Sequence, residues 1–511
     1  MRFHSILFRE ADGAIERLDR EPPAFFHDLN LDRVLAAITV GREEYDLAPF
    51  FFAHVEDLDT IAYRQEVMRD IEGDNVMGVV KAFAQGMHVV RERLAQSKKA
   101  RYPYQQERWL LGAVAAYCGA AEQLSRELSR PDVRSRGLRA FREYLADYVR
   151  SDTFTMLAAQ ARKLESDLSA IRYALLIHGN SIRVRSYKGE TDYTTVVEHT
   201  FDRFRRGVAS EYRFKLPSRV GMNHVEAQVL DGVARLNPET FRALHQFCTE
   251  HAAFQDGTVA AFDREIQFYV AYLDFVGALR RAGLSFCYPQ VAEDRDEIRS
   301  SDGFDVALAN ELVRQGKPVV CNDFSLRAPE RVFVVSGPNQ GGKTTFARTF
   351  GQMHFLASLG CPVPGKEARL FLWDRLFTHF EKEEDIRNLR GKLQDELIRI
   401  RDILGEATPR SILIMNESFS ATTLKDAIYL TKEVMARISA LDLLCVCVTF
   451  LDEVASLNEK TVSVVSTVDL ANPAVRTFKL VRRPADGLSY ALAIAEKHRV
   501  TYRWLKERIT A

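Results

Sequence analysis

From Asp74 onward apolar residues recur at three- and four-residue steps, through Val76, Val79, Phe83, Met87, Val90 and Leu94. That spacing predicts an amphipathic helix opened by a capping aspartate. A second run, Val259, Phe262, Ile266, Tyr269, Leu273 and Val276, keeps a near-heptad rhythm as far as Leu279. Both stripes read as plain core positions on long helices, which implies a bundle or an arm. Between them Tyr173–Ile177 and Ser181–Arg185 flank His178-Gly179-Asn180, a pattern that predicts a β-hairpin with a glycine-bearing turn. After Ala282-Gly283 the texture changes to short, wholly apolar runs alternating with helical patterns, as expected of an α/β unit built on a buried, mostly parallel sheet. The expected fold is therefore mixed. An α-helical core and lever region with a small β-hairpin occupies 1–283, and an α/β domain occupies 284–511, ending in a strand at Arg476–Leu480 and a helix at Ser489–Lys497.

One of those apolar runs, Val332–Val335, leads into Gly337-Pro338-Asn339-Gln340-Gly341-Gly342-Lys343-Thr344, and a helical pattern follows from Thr345. A glycine-rich turn between a strand and a helix aims consecutive backbone N–H groups, and the positive end of the helix, at phosphates. Lys343 would meet β- and γ-phosphate oxygens, and the Thr344 hydroxyl would ligate Mg²⁺. The segment predicts nucleoside-triphosphate binding by Gly337, Pro338, Asn339, Gln340, Gly341, Gly342, Lys343, Thr344 and Thr345. A second apolar strand, Ser411–Met415, ends in Asn416-Glu417, where a metal-associated group and then a water-activating carboxylate are expected. Glu417 is the candidate base and Asn416 the candidate metal-side group. An amide oxygen can accept a hydrogen bond from metal-bound water but brings no charge. Hydrogen bonds to charged groups are worth ~1.5–3 kcal/mol against about 1 for neutral ones, so Mg²⁺ is expected to be held less firmly here.

Composition narrows the picture only a little. A chain of 511 residues exceeds one hydrophobic core, and 46% hydrophobic with 27% charged residues is ordinary globular composition that excludes disordered and fibrous classes. Lys+Arg 70 against Asp+Glu 70 leaves no global field, so any nucleic-acid affinity must come from a local stripe. Arg183 and Arg185 on the second hairpin strand and Lys188 just past it, with Arg203, Arg205, Arg206 and Arg213 further on, are candidate DNA phosphate contacts, a solvated charged face being the competing reading. Met1–Ala11 has no signal-peptide shape and no apolar run approaches the ~20 residues of a membrane span, so a cytosolic protein without a membrane partner is expected. The 7 cysteines stand singly apart from Cys445 and Cys447, without C-x2-C pairs, which points to reduced thiols and not to a zinc site.

Beyond the loop, the chain resembles the MutS mismatch-repair family of ABC-type ATPases. The resemblance is carried by Val320-Cys321-Asn322-Asp323 before the phosphate strand, by the Pro-Asn and double glycine of the loop, and by Gly360-Cys361-Pro362-Val363-Pro364. It continues in Asn416-Glu417-Ser418-Phe419-Ser420-Ala421-Thr422-Thr423, in the slot of the family's acid-Glu-x-Gly-x-Gly-Thr segment, and in Ser489-Tyr490. Tyr45-Asp46-Leu47 and Ile61–Val67 resemble the start of the family's helical core. The resemblance is strong over 284–505 and looser before it. It implies an ABC-type P-loop ATPase domain in which that triphosphate is ATP, a homodimer with two nucleotide sites at a shared ATPase face, and helical clamps that close on duplex DNA as the ATP state changes. By that analogy Asn339, Gly342, Lys343 and Thr344 hold phosphates and Mg²⁺, Glu417 serves hydrolysis with Lys343, and Asn322 lies near the adenine.

Three departures accompany it. Phe450 follows Thr449 where the family has a histidine, and is expected to be a packed aromatic; the family's trans-acting serine is not evident in Gly391–Glu396; and Asn416 replaces the acid. Together they predict slow turnover. Helical-core-like sequence begins so early that mismatch-reading and connector domains are not expected, nor is a nuclease-like tail after Ala511. Phe8-Arg9-Glu10 and Phe141-Arg142-Glu143 match the family's Phe-x-Glu wedge tripeptide but read as chance. The leading expectation is an ATP-gated clamp on structured or mismatched duplex DNA. The competing one is a hydrolysis-deficient, ATP-switched interaction protein acting on a protein or ribonucleoprotein partner. A small-molecule kinase is the weakest reading, because no acceptor-site motif accompanies the long helical half.

Overall fold

The structure is a computed structural model, and it describes residues 3–9, 21–179, 181–190, 222–381, 391–469, 475–485 and 501–509. Arg203, Arg205, Arg206, Arg213, Glu10, Asn180 and Ser489–Lys497 lie outside the described residues. Two compact units emerge. One comprises Met1–Phe3, Asp74–Val133 and Arg139–Asp263; the other comprises His4–Gly73, Arg134–Leu138 and Arg264–Ala511.

In the first unit the stripe from Asp74 becomes the helix Asp74–Lys99, which runs antiparallel to the helix Pro103–Leu128. Their separation is set by small residues, since a Cβ on Gly86 would stand 2.8 Å from Cβ of Ala120. Val76, Phe83, Met87 and Val90 are buried as expected, while Val80 takes the core position beside the half-buried Val79, and Leu94 is also half-buried. Helices Asp152–Ser169, His224–Leu236 and Pro238–Glu250 pack in the same unit. Phe141 is fully buried and stacked on Phe262 at 3.5 Å between ring centroids, the environment of a core residue.

The hairpin forms as β1 (Tyr173–His178) and β2 (Ser181–Ser186), with Leu176 opposite Arg183 and Ala174 opposite Arg185. Strand alternation puts Arg183 and Arg185 on one face and Val184 on the other, where it meets Gly232 of the helix His224–Leu236. Arg183, Arg185 and Lys188 are exposed, and Arg185 pairs with Glu190 at 2.6 Å.

The second unit holds the strands β3 (Phe286–Cys287), β4 (Gln290–Ala292), β5 (Glu297–Gly303), β6 (Asn322–Arg327), β7 (Val332–Ser336), β8 (Val363–Pro364), β9 (Glu367–Phe371), β10 (Leu376–Phe380), β11 (Ile412–Asn416), β12 (Leu444–Val448), β13 (Thr461–Val468) and β14 (Arg476–Arg482). A six-stranded sheet runs β10-β11-β12-β7-β13-β14, parallel except for the last strand. Beside it stand a four-stranded sheet, β4-β9-β5-β6, and the pair β3-β8. Parallel strands covered on both faces need apolar residues at every position. Val332, Val334, Leu413, Met415, Cys445 and Cys447 point to a core shared with the helices Lys392–Glu406 and Leu424–Leu441. The opposite face meets the helix Lys343–Ser358, through Phe333 against Phe346 and Phe350 and through Ile414 beside Gly351.

The helix Gly257–Arg281, whose stripe Val259–Val276 is buried, passes from one unit to the other at Arg264. Residues 4–73 join the sheet-bearing unit because their aromatics pack there: Phe25 and Phe26 meet Phe355, and His54 stacks on Trp373 at 4.3 Å. Among the described residues no helix is long and apolar enough to cross a membrane, and the seven cysteines are free.

Candidate functional site

The loop between β7 and the helix Lys343–Ser358 turns with Gly337 at φ 111°, Gln340 at φ 59° and Gly342 at φ 95°. Gly337 and Gly341 are required by space as well. A Cβ on either would come within 2.6 Å or 2.5 Å of Oγ of Ser466, a fully buried residue of β13 lying directly against the loop. The Lys343 ammonium donates to the carbonyls of Gly337 at 3.0 Å and Pro338 at 3.2 Å and to Oδ1 of Asn339 at 3.3 Å. It also stands 4.4 Å from the ring centroid of Phe450. Pro338 is buried, Asn339 and Gln340 are exposed, and Thr345 is half-buried on the first helical turn.

Across β12 from β7, β11 delivers Asn416 and Glu417. The Thr344 hydroxyl donates to Oδ1 of Asn416 at 2.9 Å, so the two expected metal-side groups meet. Both are neutral oxygens of the kind Mg²⁺ accepts, and among the described residues no cluster of three His, Cys, Asp or Glu could hold a metal elsewhere. Glu417 is half-buried at φ 53°, and its N–H donates to the carbonyl of Val448 at 2.9 Å. Burial raises its carboxyl above the ordinary value, against the pull of Lys343 and with a push from Glu381. Burial lowers the Lys343 ammonium, opposed by Glu417 and reinforced by Arg476. A carboxylate raised and an ammonium lowered by shared burial are what a hydrolytic site would use.

Asn322 starts β6. Its amide is taken up on both sides by β14, donating to the carbonyl of Phe478 at 3.0 Å and accepting from the N–H of Leu480 at 2.8 Å. Phe450 is not packed: it is 50% exposed, because its ring faces the Lys343 ammonium and not the core. Arg183, Arg185 and Lys188 belong to the other compact unit. Four residues that sequence reasoning passed over complete the site. Ser466 supports the loop, Arg476 donates from Nε to the carbonyl of Asn339 at 3.1 Å, and Glu396 and Glu381 hold the segment after Glu417. The alternating valines around Ser466 were a legible strand signal; nothing in the sequence marked the other three.

Residues 333–506 match the family model of MutS domain V. Over this stretch the chain is similar to the MutS family. The DNA mismatch repair protein MutS of Azorhizobium caulinodans is 35% identical over 170 residues, 32% of this chain and 18% of that protein. Its namesake in Zymomonas mobilis is 33% identical over 153 residues, 29% of this chain and 18% of its own length. The MutS of Erythrobacter litoralis is 29% identical over 234 residues, 44% of this chain and 26% of its own. The matched stretch thus spans 18–26% of these relatives. The MutS domain V match takes in the loop, Asn416-Glu417, Phe450, Ser466 and Arg476; Asn322 and the basic hairpin lie outside it.

Proposed function

We propose that this chain is an ATP-dependent DNA-binding clamp of the MutS type, whose grip on structured or mismatched duplex DNA is gated by ATP binding and slow hydrolysis. The observation that carries the reading is the convergence of Thr344 and Asn416 at 2.9 Å beside Lys343 and Glu417. Loop N–H groups and the helix start would cradle the phosphates. Charge-assisted bonds are roughly twice as strong as neutral ones, so phosphate oxygens would draw Lys343 away from the neutral carbonyls it now binds. Mg²⁺, when bound, would neutralise charge building on the transferred phosphoryl group. Thr344 and Asn416 would hold it. Glu417 would take a proton from the attacking water, its raised pKa bringing it nearer neutrality. The uncharged Asn416, Phe450 in the histidine slot and Gly391–Glu396 without a serine argue for slow turnover. The exposed Arg183, Arg185 and Lys188 suit a phosphate backbone, the relatives are named for DNA mismatch repair, and a homodimer through the ATPase domains accords with the family.

The test pairs hydrolysis with binding. The parent should hydrolyse ATP at a rate that Glu417→Gln abolishes, and Lys343→Ala should lose ATP binding. Binding to mismatched and branched duplexes should weaken with salt, with a slope reduced by roughly one for each of Arg183 and Arg185 removed. No duplex binding at low salt, with or without ATP, would remove DNA from the reading. Asn416 favours a second reading, in which ATP only selects a conformation for a protein or ribonucleoprotein partner; ATP bound but not hydrolysed by the parent would decide for it.

A further inference from the structure

After β11 the chain bends through two left-handed residues, Glu417 at φ 53° and Phe419 at φ 60°, and neither is glycine. A residue with a Cβ keeps such a conformation only where its surroundings over-determine it. Around Phe419 they do. Its ring is 1% exposed in the core that includes Met415 and Ile400, and its N–H donates to Oε2 of Glu396 at 2.9 Å. Glu396 projects from the helix Lys392–Glu406 and is itself buried; burial raises its carboxyl while the Phe419 N–H lowers it. Ser420 is gripped as well, its hydroxyl donating to Oε1 of Glu381 at 3.2 Å, and Glu381 pairs with Lys392. The end of β10 and the start of that helix therefore close together on residues 419 and 420. Only Ser418 separates Phe419 from Glu417, so rotation of the backbone at Phe419 would carry the Glu417 carboxylate with it.

We infer that Glu396 is a positioning residue for Glu417. Through the Phe419 N–H it fixes the bend that keeps the Glu417 carboxylate within the field of Lys343, and Glu381 is the second arm of the same clasp through Ser420. The inference rests on Glu417 being the base of the proposed ATPase.

Three readouts on the full chain test it: ATP affinity, single-turnover hydrolysis, and amide hydrogen exchange over residues 417–420. Glu396→Ala should slow hydrolysis roughly 10- to 100-fold, the scale of a small misplacement of a reacting group, with ATP affinity held within about twofold and exchange accelerated. Glu396→Gln keeps an acceptor oxygen and should stay within about threefold of the parent. A parental rate in Glu396→Ala, a parallel loss of affinity and rate, or a Gln variant as slow as the Ala one would each overturn the inference. If Glu396→Ala does not fold, Ser420→Ala removes only the exposed arm. It should slow hydrolysis at unchanged affinity, and a parental rate there counts against the clasp. If the parent hydrolyses no ATP, the ATPase reading falls by itself, and exchange decides: acceleration in Glu396→Ala sustains the clasp, and no change refutes it.

Discussion

The two segments that meet at the proposed nucleotide site bend the backbone by different means. After β7 the left-handed positions are Gly337, the exposed Gln340 and Gly342; the two glycines carry no side chain, and Gly337 and Gly341 have no room for one beside Ser466. After β11 the sharp positions are Glu417 and Phe419, and the buried Phe419 ring with its N–H on Glu396 holds the bend. A loop that presents its backbone to phosphates works by removing side chains. A segment that must aim one carboxylate works by anchoring a neighbouring side chain. The same left-handed geometry thus serves exposure of N–H groups in one place and orientation of an acid in the other.

The largest effect should follow from filling the loop. Gly337→Ala and Gly341→Ala each force a Cβ into Ser466, and overpacking of this kind costs about 1–3 kcal/mol, with strain of similar size added at Gly337 by its φ of 111°. ATP affinity should fall by roughly 100-fold or more, as equilibrium titration would show, because the N–H groups that face the phosphates move. Ser466→Gly sharpens the case. It should restore part of the affinity of Gly341→Ala by removing Oγ and Cβ, although the Pro338 carbonyl remains at 2.9 Å. It should restore none to Gly337→Ala, whose Cβ also meets the backbone O and N of Ser466 at 2.9 Å and 3.1 Å. Parental affinity in both alanine variants would mean that the loop does not depend on β13.

A smaller effect belongs to the other segment. Phe419→Gly relieves a left-handed residue of ~1–2 kcal/mol but deletes a buried ring, for which truncation costs about 3–5 kcal/mol, so a net loss of about 1–4 kcal/mol is expected in urea unfolding of the sheet-bearing unit. A neutral or stabilised variant would show that the ring does not anchor the bend, and the contrast with the loop would collapse.

What the sequence disclosed follows the same divide. The loop was legible because its glycines serve a local purpose, Gly337 and Gly341 leaving no room for a Cβ beside Ser466, and because lysine and threonine at that spacing are the types a phosphate and a metal would require. The sheet strands were legible because burial on both faces leaves unbroken apolar runs such as Ile412–Met415. Ser466 escaped because its contact with the loop joins residues more than a hundred positions apart. Glu396 escaped because a buried acid on a helix reads like any other charged residue until its partner, the Phe419 N–H, is placed. Phe450 was misread for the same reason: an aromatic after a strand suggests packing, whereas a charge from a distant loop holds it in the open. The placement of residues 4–73 was hidden because their aromatics find Phe355 and Trp373, some 300 residues on, in partners no periodicity reveals.

The smallest effect lies in the pH profile of hydrolysis, and it separates the two segments by sign. Glu417 must be deprotonated to act as a base, so the rate should rise as pH climbs through its raised pKa; Lys343 must be charged, so the rate should fall as pH climbs through its lowered one. The active window is therefore narrower than the ordinary values of 4.5 and 10.5 would leave it. Glu381→Gln removes a charge that raises Glu417 and should move only the acid limb, toward lower pH. Arg476→Gln removes a charge that lowers Lys343 and should move only the alkaline limb, toward higher pH. Both displacements should be slight, because charges acting through a partly solvated cleft are strongly attenuated. Profiles of kcat/KM for the two variants test the division directly: if Glu381→Gln shifts the alkaline limb, or Arg476→Gln the acid one, the carboxylate segment and the phosphate loop are one electrostatic unit and not two.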